Sequence, residues 1–440
     1  MKRGLLLTGL VLLLASFVFL GSCSKKSDNA PATSSGAKVG GTTSLIASWQ
    51  GNEQDVLTQM LKPFEDKSGI QVNYTGSRDM MAIVTTRVAA GNPPDLVAFP
   101  NPAQMQELAT KGSLKPLDGV LDMATIKSQY SSGWIDRGTV NGKLYGIFTK
   151  AAAKGFIWYD VQSGQSVGLT PNSVPTTWQG LLDLSNKIAQ GGATPWAIGV
   201  ESGAASGWVG TDWLENIFLK KYGPDEYMKW YKGELPWTSE EVKSVWQEWG
   251  KIVGNQKMIY GGPQYVLSTN FGDGFAPVFQ TPPKAYLHFQ ATFITSFINK
   301  QFPDLKPITN YNFFRFPEID PKYAKSIEAS GDVYAMFNET PQSKALINYV
   351  ATPDAQQYWI TTGAISPNKM VPMSAYTDPI TKQAAEMMNQ SEIVVFDASD
   401  LMPNTMNQAF WSAILEFIKN PGNLDSILQK LDNVRKDAYK

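Results

Sequence analysis

SLIASWQGNEQDVLTQMLKPFEDKSGIQVNYTGSRDMMAIVTTRVAAGNPPDLVAFP, residues 44–100, is the stretch that decides the fold class. Ser44 to Trp49 is a short apolar run and reads as a strand. Val56, Leu57, Met60, Leu61 and Phe64 then recur at helical spacing, and Gly69 suits the left-handed residue that ends a helix. Ile70, Val72 and Tyr74 alternate as a strand does. A second helix runs through Met81, Val84 and Val88 until Gly91-Asn92-Pro93-Pro94 breaks it. Leu96 to Phe99 is a third strand, and Met105, Leu108 and Ala109 begin a third helix. Strands alternating with helices imply an α/β fold with a parallel sheet and right-handed crossovers. In such sheets ligands bind in the crevice outside the carboxyl ends of the strands. Those ends carry Trp49, Gln50 and Glu53, then Arg78 and Asp79, then Asn101. An aromatic, an amide, an arginine and two acids therefore collect on one rim. Asn52 and Asp79 equally suit helix N-caps, and that alternative stays open.

Working back from this stretch, residues 24–41 are rich in Ser, Ala and Gly and carry no aromatic. Such a segment cannot bury enough apolar surface to fold and reads as a tether. Before it, Lys2 and Arg3 precede an apolar run from Leu5 to Leu20, the layout of a secretory signal peptide over residues 1–22. Leu20-Gly21-Ser22-Cys23 resembles a bacterial lipobox, so Cys23 is the expected lipidation site and the start of a tether over 23–41. It is the only cysteine in the chain, which rules out an internal disulfide. The formal charge of −1 becomes −3 once Lys2 and Arg3 are removed.

About 400 residues then remain, more than one hydrophobic core usually serves, so two lobes are expected. No basic excess points to nucleic acid. Thirteen tryptophans are the unusual feature; flat apolar faces with polar edges suit a sugar ring, although any one of them also suits a core. Between Thr194 and Glu241 the chain is dense in Trp, Gly and acids, and its glycines suggest close approach of a ligand. The single histidine, His288, excludes His-pair zinc motifs. No GxSxG elbow precedes a helix and no GxxxxGKS/T phosphate loop occurs, and no metal or cofactor is expected. His288 reads either as a hydrogen-bonded residue on a crossing strand or as a ligand contact, with Gln290 beside it. Asp397 and Asp400 leave open a carboxylate-pair enzyme acting on carbohydrate.

Gly91-Asn92-Pro93-Pro94-Asp95-Leu96, Gly142-Lys143-Leu144-Tyr145-Gly146 and Pro175-Thr176-Thr177-Trp178 together resemble the family 1 extracellular solute-binding proteins. The stretches from Ser202 to Trp213 and from Phe396 to Pro403 are similar to those of bacterial alpha-glucoside-binding proteins. Leu401 to Asn404 with Ala409-Phe410-Trp411 is similar to the C-terminal segment of maltose-binding proteins. What this resemblance implies is a two-lobed periplasmic-binding-protein fold with a hinge and an interlobe ligand cleft. Lobe one would be 42–150 plus 288–355, and lobe two 151–287 plus 356–440, with crossings near 150–154, 286–288 and 352–356. The function implied is sugar capture for an ABC importer by a monomer that meets permease subunits and touches the membrane only through its lipid. The protein would then lie in the periplasm or on the cell surface. By the same resemblance Phe99, Met402 and Trp411 match sugar-touching positions, and Trp208 and Asp212 lie in a shared stretch. The family's acids align near Pro102 and Ala153, so hydroxyl recognition must differ, and Arg78, Asp79, Asn101, Asp332 and Asp400 are the substitutes.

Overall fold

Strand Gly41–Ala47 lies in parallel between Ile70–Gly76 and Leu96–Phe99. It stops two residues short of the expected Trp49. Helix Asn52–Ser68 joins the first pair, burying Val56, Leu57, Met60, Leu61 and Phe64 and ending at Gly69, whose φ of 72° is left-handed. Asp95 ties the first strand to the third, because its carboxylate accepts hydrogen bonds from Ser44 N–H at 2.8 Å and Ser44 Oγ at 3.0 Å. In this computed structural model the described residues are 38–440; the expected signal peptide, Cys23 and most of the tether lie outside them. Among the described residues no helix is long and apolar enough to cross a membrane.

Two long antiparallel strands, Gly146–Lys154 and Ser326–Met336, carry the chain between the two halves of the molecule. Lys154 pairs opposite Glu328 at one end and Gly146 opposite Ala335 at the other. The outer edge of the second hinge strand is shared by two partners. Val333–Met336 pairs with Leu96–Phe99, and Ser326–Ala329 pairs with Ile393–Phe396. Between them, Ser330–Asp332 has no strand on that outer edge among the described residues, and the register against the first hinge strand slips after Asp332. An unpaired stretch of strand edge leaves backbone and side chains free to face something else.

The other half is built on a second sheet, ordered Tyr311–Arg315, Phe156–Asp160, Leu287–Gln290, Trp196–Ala197. The tryptophans fill its core. Trp213 is fully buried with Trp196, Trp178, Phe289 and Phe316 around it.

Strand pairing corrects two of the expected crossings. Leu287–Gln290 and Tyr311–Arg315 both pair in the second sheet, so the chain does not leave it at 286–288 but after Arg315. Helix Pro353–Ile360 still packs on the first half, with Trp359 against Trp49 at 4.5 Å, so the third crossing follows residue 360 instead of 352–356. The first crossing falls at Gly155, one residue beyond the expected 150–154. There φ is +80°, and a Cβ would overlap Asn216 Oδ1, so glycine is required.

Candidate functional site

A cleft of about 600 Å3 opens where the edge of the second hinge strand is unpaired. Ser330, Gly331 and Asp332 line it, together with the loops that follow all three parallel strands. Of the expected residues, the structure brings together Trp49, Arg78, Asp79, Asn101, Trp208, Asp332, Asp400 and Trp411.

The polar wall is organised by hydrogen bonds to neighbouring elements. Asn101 is buried, and its Oδ1 accepts from Ala103 N–H at 3.0 Å and Gln104 N–H at 3.3 Å, capping helix Pro102–Thr110. That leaves Asn101 Nδ2 with no partner among the described residues. Asp79 holds the N-cap position of helix Met80–Ala89 but makes no side-chain cap. Its Oδ1 instead accepts from Ala204 N–H of the opposite half at 3.0 Å. Gln104 Nε2 likewise reaches across to Asn404 Oδ1 at 3.0 Å. Both halves therefore meet around the cleft.

Two buried lysines that the sequence reading did not single out hold its floor. Lys150 pairs with Glu53 and lies 3.5 Å from Asp332. Arg78 also reaches Glu53, at 3.3 Å. Burial alone would raise the Glu53 carboxyl, but Lys150 and Arg78 outweigh it and hold the group below its ordinary value. Lys154 pairs with Asp212 at 2.9 Å and with Asp397, and lies 3.9 Å from Glu328. Against the desolvation cost, these acids keep its ammonium well above its ordinary pKa. Asp212, Glu328 and Asp397 bring carboxylate oxygens within 4.8 Å of one another, a spacing that would suit a cation, but Lys154 already supplies the positive charge there. One ammonium cannot neutralise every acid around it. Burial and neighbouring carboxylates push Glu215, Glu328 and Asp400 well above the carboxylate range, while Lys154 keeps Asp397 below it.

The apolar wall comes from the second half. The ring of Trp208 lies 5.1 Å from Phe271 and 6.0 Å from Phe293, and Trp411 closes the same side with its Nε1 buried and unpartnered among the described residues. Arg78 projects from the first half over Phe271, 4.8 Å from its centroid.

Six expected residues do not line the cleft. Gln50 is exposed on the rim and donates to Gly76 O at 3.2 Å. Phe99 points to the opposite face of its strand, into a core with Ile46, Val84 and Met105. Met402 belongs to the tryptophan-rich core. Asp212 lies behind the cleft as a partner of Lys154. His288 and Gln290 sit on an interior strand covered on both sides, where His288 Nδ1–H donates to Ala197 O at 2.9 Å. Desolvation pushes the imidazole pKa down to about 4, so it is a neutral structural residue at physiological pH. Gln290 Oε1 accepts from Ala291 N–H at 2.9 Å. Trp49 reaches the cleft, yet its ring is buried against Trp359 and Tyr334, and its Nε1 donates to Asp332 Oδ2 at 3.0 Å. It orients Asp332 and offers no open face for stacking. The glycines beside Trp208 also have another cause. A Cβ at Gly207 would meet the backbone of Trp411, and one at Gly210 would meet Ile414 and Trp249, so these glycines let helices approach each other.

A match to the bacterial extracellular solute-binding protein family spans residues 59–389, three quarters of the chain. The chain belongs to that family. Among relatives of this solute-binding protein, the osmoprotective compounds-binding protein GgtB of Synechocystis sp. is 37% identical over 84% of this chain and 86% of its own. An alpha-glucosides-binding periplasmic protein, AglE of Rhizobium meliloti, is 32% identical over 88% of this chain and 85% of its own. A chitin oligosaccharide binding protein aligns with a TM-score of 0.78 at 21% identity, covering 90% of this chain and 98% of that one. A maltose-bound T. maritima MalE3 gives 0.70 at 19% identity, covering 90% and 99%. The solute-binding protein thus has the two-lobed periplasmic-binding-protein fold with its cleft between the lobes.

Proposed function

We propose that this solute-binding protein captures an alpha-glucoside or another small oligosaccharide for an ABC importer and performs no chemistry on it. The observation that carries this reading is the cleft itself. It presents polar groups with free valences, Asn101 Nδ2 and the Asp400 carboxyl among them, together with the rings of Trp208 and Trp411. A sugar needs both, since its hydroxyl edges seek hydrogen bonds and its C–H faces seek flat apolar surface. The name of the alpha-glucosides-binding relative points the same way. Against a carboxylate-pair enzyme, Asp397 is committed to Lys154, to the Ser399 hydroxyl at 2.8 Å and to Asp400 N–H at 2.9 Å, which leaves it no freedom as nucleophile or base.

Calorimetric titration with maltose, trehalose and sucrose, with product analysis alongside, tests both halves of this reading. Saturable heat with intact sugar is expected, and small-angle scattering at saturation should show a more compact particle as the lobes close. Hydrolysis products, or no heat from any of the three, would defeat it.

The proposal extends to anchoring. Cys23 in Leu20-Gly21-Ser22-Cys23 is the residue to carry lipid, tethering the protein on the outer side of a bacterial membrane through residues 23–41. Cys23→Ser is expected to abolish labelled fatty-acid incorporation and release the protein from membranes. A variant that stays labelled and membrane-bound would refute the anchor.

A further inference from the structure

Asp400 stands apart from the other charged groups of the cleft. Each cation in the wall already faces an acid: Arg78 and Lys150 meet Glu53, and Lys154 meets Asp212 and Asp397. Asp79 accepts from Ala204 N–H. The half-buried carboxyl of Asp400 receives no hydrogen bond and no ion pair from the described residues; only its backbone is engaged, its N–H donating to Asp397 Oδ1 at 2.9 Å. Four charged groups surround it from the packed elements. Asp397 adjoins it, Lys154 comes from the first hinge strand, Asp332 from the second, and Asp212 from helix Trp208–Tyr231. These are three acids and one ammonium, and the ammonium is already engaged by Asp212 and Asp397.

We propose that Asp400 is the charge-selecting residue of the cleft: it draws a glycoside bearing an ammonium group in preference to one bearing only hydroxyls, and it disfavours one bearing a carboxylate. This rests on the sugar reading above and narrows it. The physical reason is local. A ligand ammonium placed there gains an acid that has no other partner, in surroundings that hold an excess of negative charge. A ligand carboxylate placed beside Asp400 adds one more negative charge to that excess. Burial and Asp397 also favour the protonated form of Asp400. An arriving ammonium therefore displaces a proton to solvent, whereas a hydroxyl needs no such exchange.

The test uses one scaffold with different charges. Methyl α-D-glucopyranoside, its 2-, 3- and 6-amino-deoxy derivatives and the corresponding glucuronide are titrated calorimetrically at neutral pH, in two buffers of different ionisation heat. At least one amino form is expected to bind about tenfold or more tighter than the parent, with release of up to about one proton. The glucuronide should bind about tenfold or more weaker. In Asp400→Asn the spread between charged and neutral probes should collapse and the proton release disappear. The proposal is overturned if the parent binds and no amino form exceeds it, or if a folded Asp400→Asn protein keeps the preference. The wild-type ranking decides the matter even should the variant unfold. If none of the five probes binds, the glucoside reading falls and this proposal falls with it, an outcome distinct from a parent that binds without charge preference.

Discussion

Replacing Lys154 by methionine is expected to lower the unfolding free energy by about 3–5 kcal/mol, the range for removing one partner of a buried ion pair. The cause is the company it keeps. Asp212, Asp397 and Glu328 gather around its ammonium, all of them buried, and without it they must either hold uncompensated charge or take up protons. This second route gives the effect a pH dependence of definite sign. Carboxyls whose folded pKa is raised contribute stability that is present below the ordinary carboxylate range and lost as pH rises through the folded value. Glu328 is already raised by burial and by Glu215, and Glu215 by burial, Asp397 and Asp212, and losing Lys154 raises both further. The penalty should therefore be smaller at pH 5 than at pH 8. Urea melts of both proteins at the two pH values measure it. A loss under about 1 kcal/mol, the scale of an exposed pair, or a loss equal at both pH values, would mean that the cluster is solvated and does not act as described.

Asn101→Asp should weaken sugar binding by about ten- to a hundredfold while leaving stability nearly unchanged. The two effects separate because the two ends of this amide have different tasks. Oδ1 caps helix Pro102–Thr110, and a carboxylate oxygen can accept the same two N–H bonds with a favourable charge at a helix N-terminus. Nδ2 is buried, unpartnered among the described residues and at the cleft wall, so it is the donor a sugar hydroxyl would meet. Aspartate replaces that donor with a second acceptor. Calorimetric titration beside a denaturant melt checks both statements. Unchanged affinity would assign Asn101 to capping alone, and a large stability loss would show that the amide nitrogen serves the fold.

The first parallel strands, their helices and the rim at their carboxyl ends were legible because they depend on local periodicity and punctuation. Val56, Leu57, Met60, Leu61 and Phe64 reach one side of a helix whatever the rest of the chain does, and Gly69 ends it for a backbone reason. Residues of those rim loops, Trp49, Arg78, Asp79 and Asn101, accordingly reach the cleft. Lys150 and Lys154 were not singled out, because a lysine in an apolar strand becomes meaningful only when its acids arrive from 97, 58 and 243 positions away.

The expectations that failed share one feature. Phe99, Met402, His288 and Gln290 lie within or beside regular segments, where a side chain can face either a core or a ligand, and sequence spacing does not say which. The amino-acid sequence by itself determined the α/β order of the first lobe, the absence of an internal disulfide and the need for more than one core. Each of these follows from periodicity, residue count or chain length, quantities that exist before any distant contact forms. Tertiary structure alone decided which aromatics are wall and which are core, where the chain crosses between lobes, and which acid is left without a partner. Those depend on strand neighbours: the gap between Leu96–Phe99 and Ile393–Phe396 along one hinge strand opens the cleft, and segments 234 to 240 residues apart must pair before that gap exists.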